Sequence, residues 1–243
     1  MSLTLALKRK LLQHTGFFET GKSTIADAFK VIAGNYDGQG MSFGPLQCNF
    51  GQSSLQPWLK NYIGANGTEF TTAFGATKAA TFKDVLNNKT VAQQIAWADS
   101  ISTTDRKKLI SEWETVFSTI GAKTTCQDSL INTSMVTYVD RALSLATKFG
   151  ITTTQGLAYL FDMAVNSYSF TISEAEVKAE LDERVKLYLQ VEGKDMPDFD
   201  RLYILKKYDR NPTRRETIRQ GSGSYLGHTY NISTYGLDYS TKF

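Results

Sequence analysis

Apolar residues recur at helical spacing along most of this chain, and that period restricts it to a mainly α fold. Leu3, Ala6, Leu7 and Leu11 share one face of a first helix, with basic residues opposite. Thr104 and Asp105 are placed to cap a helix carrying Leu109, Ile110, Trp113, Val116 and Phe117, which Gly121 stops. Residues 129–149 repeat the period through Met135, Val136, Val139, Leu143 and Ala146. Residues 154–167 are apolar nearly all round, the pattern of a buried central helix. Ser173 opens another helix, with Val177, Leu181, Val185 and Leu189 along one face, and residues 199–208 predict one more. The Gly-, Ser- and Tyr-rich segment after Pro212 reads as turns with room for one small β-hairpin.

One stretch departs from this regularity. Residues 17–52, FFETGKSTIADAFKVIAGNYDGQGMSFGPLQCNFGQ, place Glu19 beside a glycine turn and Asp37 inside an Asp-Gly-Gln-Gly turn, 37 − 19 = 18 positions on. Ser23 and Thr24 cap a short helix between them, expected to run through Ala26, Phe29 and Val31 to Gly34. Two acids on separate loop-like segments are the minimum equipment for acid/base cleavage of a glycosidic bond. The same residues spell Gly16-x-x-x-x-Gly21-Lys22-Ser23, the spacing of a phosphate-binding P-loop. A P-loop needs a buried strand in front of it, whereas the residues before Gly16 include three consecutive bases and read as an amphipathic helix. Phe17, Phe18 and Glu19 would also crowd a loop closing on an anion, and no alternating βαβ pattern follows. The nucleotide-binding reading is therefore the weaker one.

Composition narrows the remainder. The 243 residues suffice for one catalytic domain, 1–243, built as two lobes, with the small and polar residues 64–88 as the expected boundary. A net charge of +3 is far from a nucleic-acid signature. Cys48 and Cys126 lack metal-ligand spacing and are expected as two buried free thiols; His14 and His228 stand alone. A zinc site or a histidine-dependent triad has little material here, so neither metal nor cofactor is expected. No stretch approaches the roughly 18 apolar residues of a membrane span, and the N-terminus puts its apolar residues ahead of its bases, the reverse of a secretory signal. The expectation is a chain made in the cytoplasm without membrane insertion.

The motifs around the two acids resemble the chitosanase-like branch of the lysozyme superfamily, including related peptidoglycan-hydrolase-like domains. In that branch an amphipathic helix ends in a catalytic Glu, matched by Phe18-Glu19-Thr20-Gly21, and a catalytic Asp sits in an Asp-Gly-x-Gly turn, matched by Asn35-Tyr36-Asp37-Gly38-Gln39-Gly40. A hydroxyl residue five positions after that Asp holds the attacking water, and Ser42 occupies the place. Ser42-Phe43-Gly44-Pro45-Leu46-Gln47 and Asn49-Phe50-Gly51-Gln52 look like the peptidoglycan-hydrolase-like members, while Cys48 stands where a large aromatic of the cleft wall is expected.

The resemblance implies a lysozyme-like two-lobed fold with the active-site cleft between the lobes. It implies an inverting glycosidase in which Glu19, beside Phe17 and Phe18, keeps a proton for the leaving oxygen and Asp37 activates water. Tyr36, Gly38, Gly40, Asn49 and Gln52 are the candidate sugar contacts, and Tyr36 and Trp58 are the candidate stacking rings, both at positions where an aromatic is read as core before sugar platform. Asp162 is expected to be paired structurally, and Arg214, Arg215 and Arg219 to lie on a solvated helix face. The implied substrate is peptidoglycan, with chitosan as the alternative and a non-catalytic wall-binding or tail-associated module behind both. Delivery would be that of a phage endolysin released through a holin, or of a toxin injected by a secretion machine and answered by an immunity protein.

Overall fold

The computed structural model describes residues 3–167 and 169–243. In chain order its elements are α1 (Leu5–Thr20), α2 (Ile25–Ala28), β1 (Ile32–Ala33), β2 (Ser42–Phe43), β3 (Cys48–Asn49), α3 (Leu55–Ala65), α4 (Gly67–Phe74), α5 (Ala76–Asn88) and α6 (Val91–Ser100). There follow α7 (Ser111–Gly121), α8 (Thr124–Asn132), α9 (Ser134–Phe149), α10 (Thr154–Asn166), α11 (Glu174–Glu192), α12 (Asp198–Lys206), α13 (Pro212–Gln220), β4 (Ser222–Tyr225) and β5 (His228–Asn231). The fold is mainly helical, as the period requires. Among the described residues no helix is long and apolar enough to cross a membrane.

The chain divides into two compact units, Gly16–Val136 and the residues up to Thr15 with Thr137–Phe243. Residues 64–88, expected as the boundary, instead form helices inside the first unit: they close α3, build α4 and fill α5, with Gly75 turning between them at φ 72°. Their small polar residues face solvent, while Phe70, Phe74, Phe82 and Leu86 anchor the inner side.

The unit Gly16–Val136 is built on aromatic rings. Phe117 meets Phe43, Phe74 and Phe82 edge-on, with centroids 5.6, 5.1 and 5.2 Å away. Trp58 lies among them, fully buried, its indole N–H donating to the Cys126 carbonyl at 2.7 Å. Trp58 is thus a core residue. Cys48 and Cys126 are buried free thiols, and burial pushes the Cys48 thiol up to about 12.

Several boundaries shift for local reasons. Residues 101–110 do not begin a helix: Asp105 Oδ1 accepts from Thr103 Oγ1 and from Lys107 N, closing a turn instead of capping. A bridge between Ser102 and Leu109 seals that loop, and α7 starts at Ser111. Helix α2 lasts one turn, because the chain straightens at Val31, whose carbonyl accepts from Gly44 N at 2.9 Å. The period over 129–149 is split at Thr133, whose φ of −129° and ψ of −95° separate α8 from α9.

In the second unit α10 is buried along nearly its whole length, with Thr153 capping it at Gly156 N. The Ser173 start is a capping box closed by Glu176. Residues after Pro212 give the expected hairpin, β4 against β5 around Leu226 and Gly227, both at positive φ. Ahead of it, however, they form α13, with Pro212 in its first turn and Asn211 as cap. Arg214, Arg215 and Arg219 are therefore not solvated. All are buried, Arg214 and Arg215 against the Asp162 carboxylate and Arg219 against Glu216. Asp162 is paired as expected, through α13.

Candidate active site

Glu19 is the penultimate residue of α1, half-buried, on the last turn behind the edge-to-face rings of Phe17 and Phe18. The turn is closed tightly. Thr20 Oγ1 donates to Gly16 O at 2.6 Å, and Gly21, at φ 69°, donates its N–H to Phe17 O at 2.8 Å. A left-handed glycine after the last turn is how a helix stops, so the Glu-Thr-Gly end of the motif is a helix terminator that presents Glu19.

The same geometry removes the P-loop. Gly16–Thr20 are helical where such a loop must be open, α1 precedes them where a strand is required, and Lys22 is an exposed residue after the helix.

Asp37 lies on the exposed turn joining β1 to β2. Its Oδ1 accepts from Gln39 N at 3.0 Å, and Gly38 and Gly40 take φ of 79° and 83°. The glycines let the chain reverse within a few residues, for which side-chain-bearing residues are poorly suited. Tyr36, beside Asp37, is 65% exposed, so its ring is outside the core and open to a ligand.

The three short strands gather the remaining candidates. Ser42 pairs with Ala33 on one side and Asn49 on the other, while Phe43 pairs with Ile32 and Cys48. Directly opposed residues share a face and successive ones alternate, so Ser42, Ala33 and Asn49 occupy the face opposite Phe43. Phe43 stacks into the aromatic core, and Cys48 is buried beside it on that face. Cys48 consequently faces the core with Phe43 and forms no cleft wall.

Asn49 is buried, and its carboxamide is engaged locally, Oδ1 accepting from Gln52 N at 2.8 Å. Gln52 is exposed on the following turn. That turn is tied to the Asp37 turn, because Gly51 N donates to Gln39 O at 2.9 Å.

One packing contact and four hydrogen bonds hold these segments within the unit Gly16–Val136. A Cβ on Gly16 would stand 2.8 Å from Pro45 Cβ, so the last turns of α1 press onto the loop between β2 and β3. On the other side Gly34 N donates to Lys107 O, Asn35 N to Ser102 Oγ, and the Asn35 side chain joins Gly40 to Asp99. Sequence reasoning missed Asn35, Asp99 and Ser102. The polar run 102–108 carried a signal as a turn cluster, which the helix reading of that segment obscured. Among the described residues no group of three or more His, Cys, Asp or Glu gathers to hold a metal ion.

No protein-family model matches the chain, and no curated protein matches it in sequence. Solved structures do match. The native chitosanase from Bacillus subtilis MY002 aligns with a TM-score of 0.50 at 14% identity, over 85% of this chain and 77% of that one. The Gynuella sunshinyii GH46 chitosanase in complex with chitotetraose aligns with a TM-score of 0.52 at 12% identity, over 94% and 98%. Another chitosanase complex gives 0.53 at 14% identity, over 92% and 95%. With nearly the full length aligned at such low identity, the likeness is one of backbone: this chain has the fold of the GH46 chitosanase structures, which belong to the lysozyme-like superfamily.

Proposed function

We propose that this chain is a glycoside hydrolase cleaving an amino-sugar polymer by inverting acid/base catalysis, with chitosan ahead of peptidoglycan as its substrate. The observation that carries the reading is the placement of Glu19 on a closed helix end and Asp37 on a glycine turn, both braced against the same small sheet. Glu19 gives its proton to the glycosidic oxygen as the bond to the anomeric carbon breaks. Asp37 takes a proton from the water that attacks that carbon from the opposite face, and Ser42 orients the water. Gln39 N donates to Asp37 Oδ1 and so helps orient the carboxylate. Tyr36 offers a ring face to a sugar, and Gly38 and Gly40 permit close approach.

The order of substrates follows the structural neighbours, which are chitosanases, one of them holding chitotetraose. One observation favours peptidoglycan as a second reading. Lys22 follows Glu19 by three positions, and Lys107 and Lys108 lie on the loop bonded to the Asp37 turn, all exposed. Such cations repel the polycation chitosan and attract an anionic wall. Delivery through a holin or a secretion machine belongs to that second reading.

The test is reducing-end release from chitosan and from purified peptidoglycan by wild type, Glu19→Gln and Asp37→Asn. Cleavage of chitosan that both substitutions abolish is the expected result. Cleavage of peptidoglycan alone reverses the order of substrates. Binding to either polymer without turnover, unchanged in Glu19→Gln, replaces the hydrolase with a wall-binding module.

A further inference from the structure

The Asp37 turn is held from one side by a side chain that the reaction itself does not use. Asn35 is buried, and its carboxamide reaches in two directions: Oδ1 accepts from Gly40 N at 2.7 Å, while Nδ2 donates to Asp99 Oδ1 at 3.2 Å. The first bond spans the whole Asp37-Gly38-Gln39 reversal, clamping its two ends together. The second ties that clamp to the end of α6. Asp99 is fixed in its turn by Arg106, with Nε 2.8 Å and Nη2 2.9 Å from its two carboxylate oxygens. A bidentate guanidinium–carboxylate pair sets direction as well as distance.

Backbone contacts close the same joint. Asn35 N donates to Ser102 Oγ at 3.1 Å and Gly34 N to Lys107 O at 3.1 Å. At Gly34 there is no room for a side chain: a Cβ would stand 2.5 Å from Arg106 O and 2.6 Å from Lys108 O. The loop after α6 therefore lies directly on the backbone leading into the turn. An exposed turn with two left-handed glycines has little rigidity of its own, since glycine confers none. Asn35 supplies it.

We propose that Asn35, oriented by the Asp99–Arg106 pair, is the positioning residue for the general base, setting where Asp37 holds the attacking water. The inference rests on the assignment of Asp37 as base. Its effect falls on the step in which water attacks, since a displacement on the order of 1 Å costs about 100-fold in rate.

The experiment combines substitution with chemical rescue, on soluble chitosan or on peptidoglycan if that is the polymer cleaved. Asn35→Ala and the milder Asp99→Asn are expected to lower kcat by about 10- to 100-fold with KM held within about twofold. Both are then rebuilt in an Asp37→Ala background, where azide attacks the anomeric carbon in place of the activated water as Glu19 protonates the leaving oxygen, so that turnover returns and is read as glycosyl azide. With the base gone, a residue that acts only by positioning it has nothing left to position. Neither substitution should lower the azide-rescued rate further. An equal loss in both backgrounds, or a kcat that falls only in step with Tm, overturns the positioning role and leaves Asp37 as base. Full activity in Asp37→Ala without azide overturns the base assignment and the inference with it.

Discussion

Trp58 lies flat on Phe43, their ring centroids 4.7 Å apart and their planes 8° from parallel. Phe43 belongs to β2, one residue from Ser42, so this stack fixes the strand that carries a candidate site residue on its other face. Trp58→Ala removes the largest fully buried side chain and is expected to cost about 3–5 kcal/mol. Trp58→Phe keeps a ring but leaves the Cys126 carbonyl without its donor, costing about 1–3 kcal/mol. Urea denaturation measures both. Were Trp58 a sugar platform instead, Trp58→Phe would keep the wild-type midpoint and weaken polymer binding.

Gly16 presses α1 onto Pro45, and Glu19 sits one turn further along the helix. Alanine is the better helix former by about 1 kcal/mol, so propensity alone makes Gly16→Ala stabilising. The added methyl must nonetheless occupy space 2.8 Å from a proline ring that cannot rotate away. The helix end has to lift, carrying Glu19 with it. Gly16→Ala is expected to lower kcat by about 100-fold while changing stability by less than about 2 kcal/mol. Paired turnover assays and thermal melts separate this from simple unfolding, which would take both down together.

Asp162 is wholly buried between two guanidinium groups. Burial alone would raise its carboxyl, but Arg214 and Arg215 outweigh that and hold it at about 2. Arg215 also reaches Asp209 Oδ2 at 3.0 Å, so two arginines and two aspartates balance in charge. Removing one partner leaves an uncompensated buried charge, which costs about 3–5 kcal/mol. Asp162→Asn and Arg215→Met are each expected to lose that much in denaturant titrations. A loss below about 1 kcal/mol in both would show that the cluster is wet and screened.

What the sequence revealed, and what it hid, divides along physical lines. The Glu19 and Asp37 segments were legible because helix termination and sharp reversal demand glycine at fixed places, and Gly21, Gly38 and Gly40 all adopt positive φ. The burial of α10 was legible because no polar face interrupts it. Arg214 and Arg215 were not: three arginines in six residues read as a wet surface until the partner on α10 is known, and that partner lies more than 50 residues away. The clamp at Asn35 was hidden for the same reason. Asp99 is 64 positions from Asn35, and only the fold brings them to hydrogen-bonding distance.

His14 makes folding sensitive to mild acid. It is fully buried on α1, with Nε2 2.7 Å from the Tyr230 hydroxyl and its ring edge-on to Tyr235. Burial pushes its imidazole down to about 4; Asp162 opposes the shift, and Arg214 and Arg215 add to it. Unfolded, the same group takes a proton near pH 6.5. Above that value neither state is protonated there and His14 costs nothing. Between about 6.5 and 4 the unfolded chain binds a proton that the folded one refuses, so stability falls with pH, by about 3 kcal/mol once pH 4 is reached. Asp162 extends the trend at lower pH, its contribution disappearing as pH falls from the ordinary carboxylate range through about 2. His14→Gln, which retains a polar partner for Tyr230 and cannot be protonated, is expected to flatten the dependence between pH 6.5 and 4 while leaving the steeper loss below it. The check is a series of urea titrations at half-unit intervals. An unchanged slope in His14→Gln would place the acid sensitivity on another group.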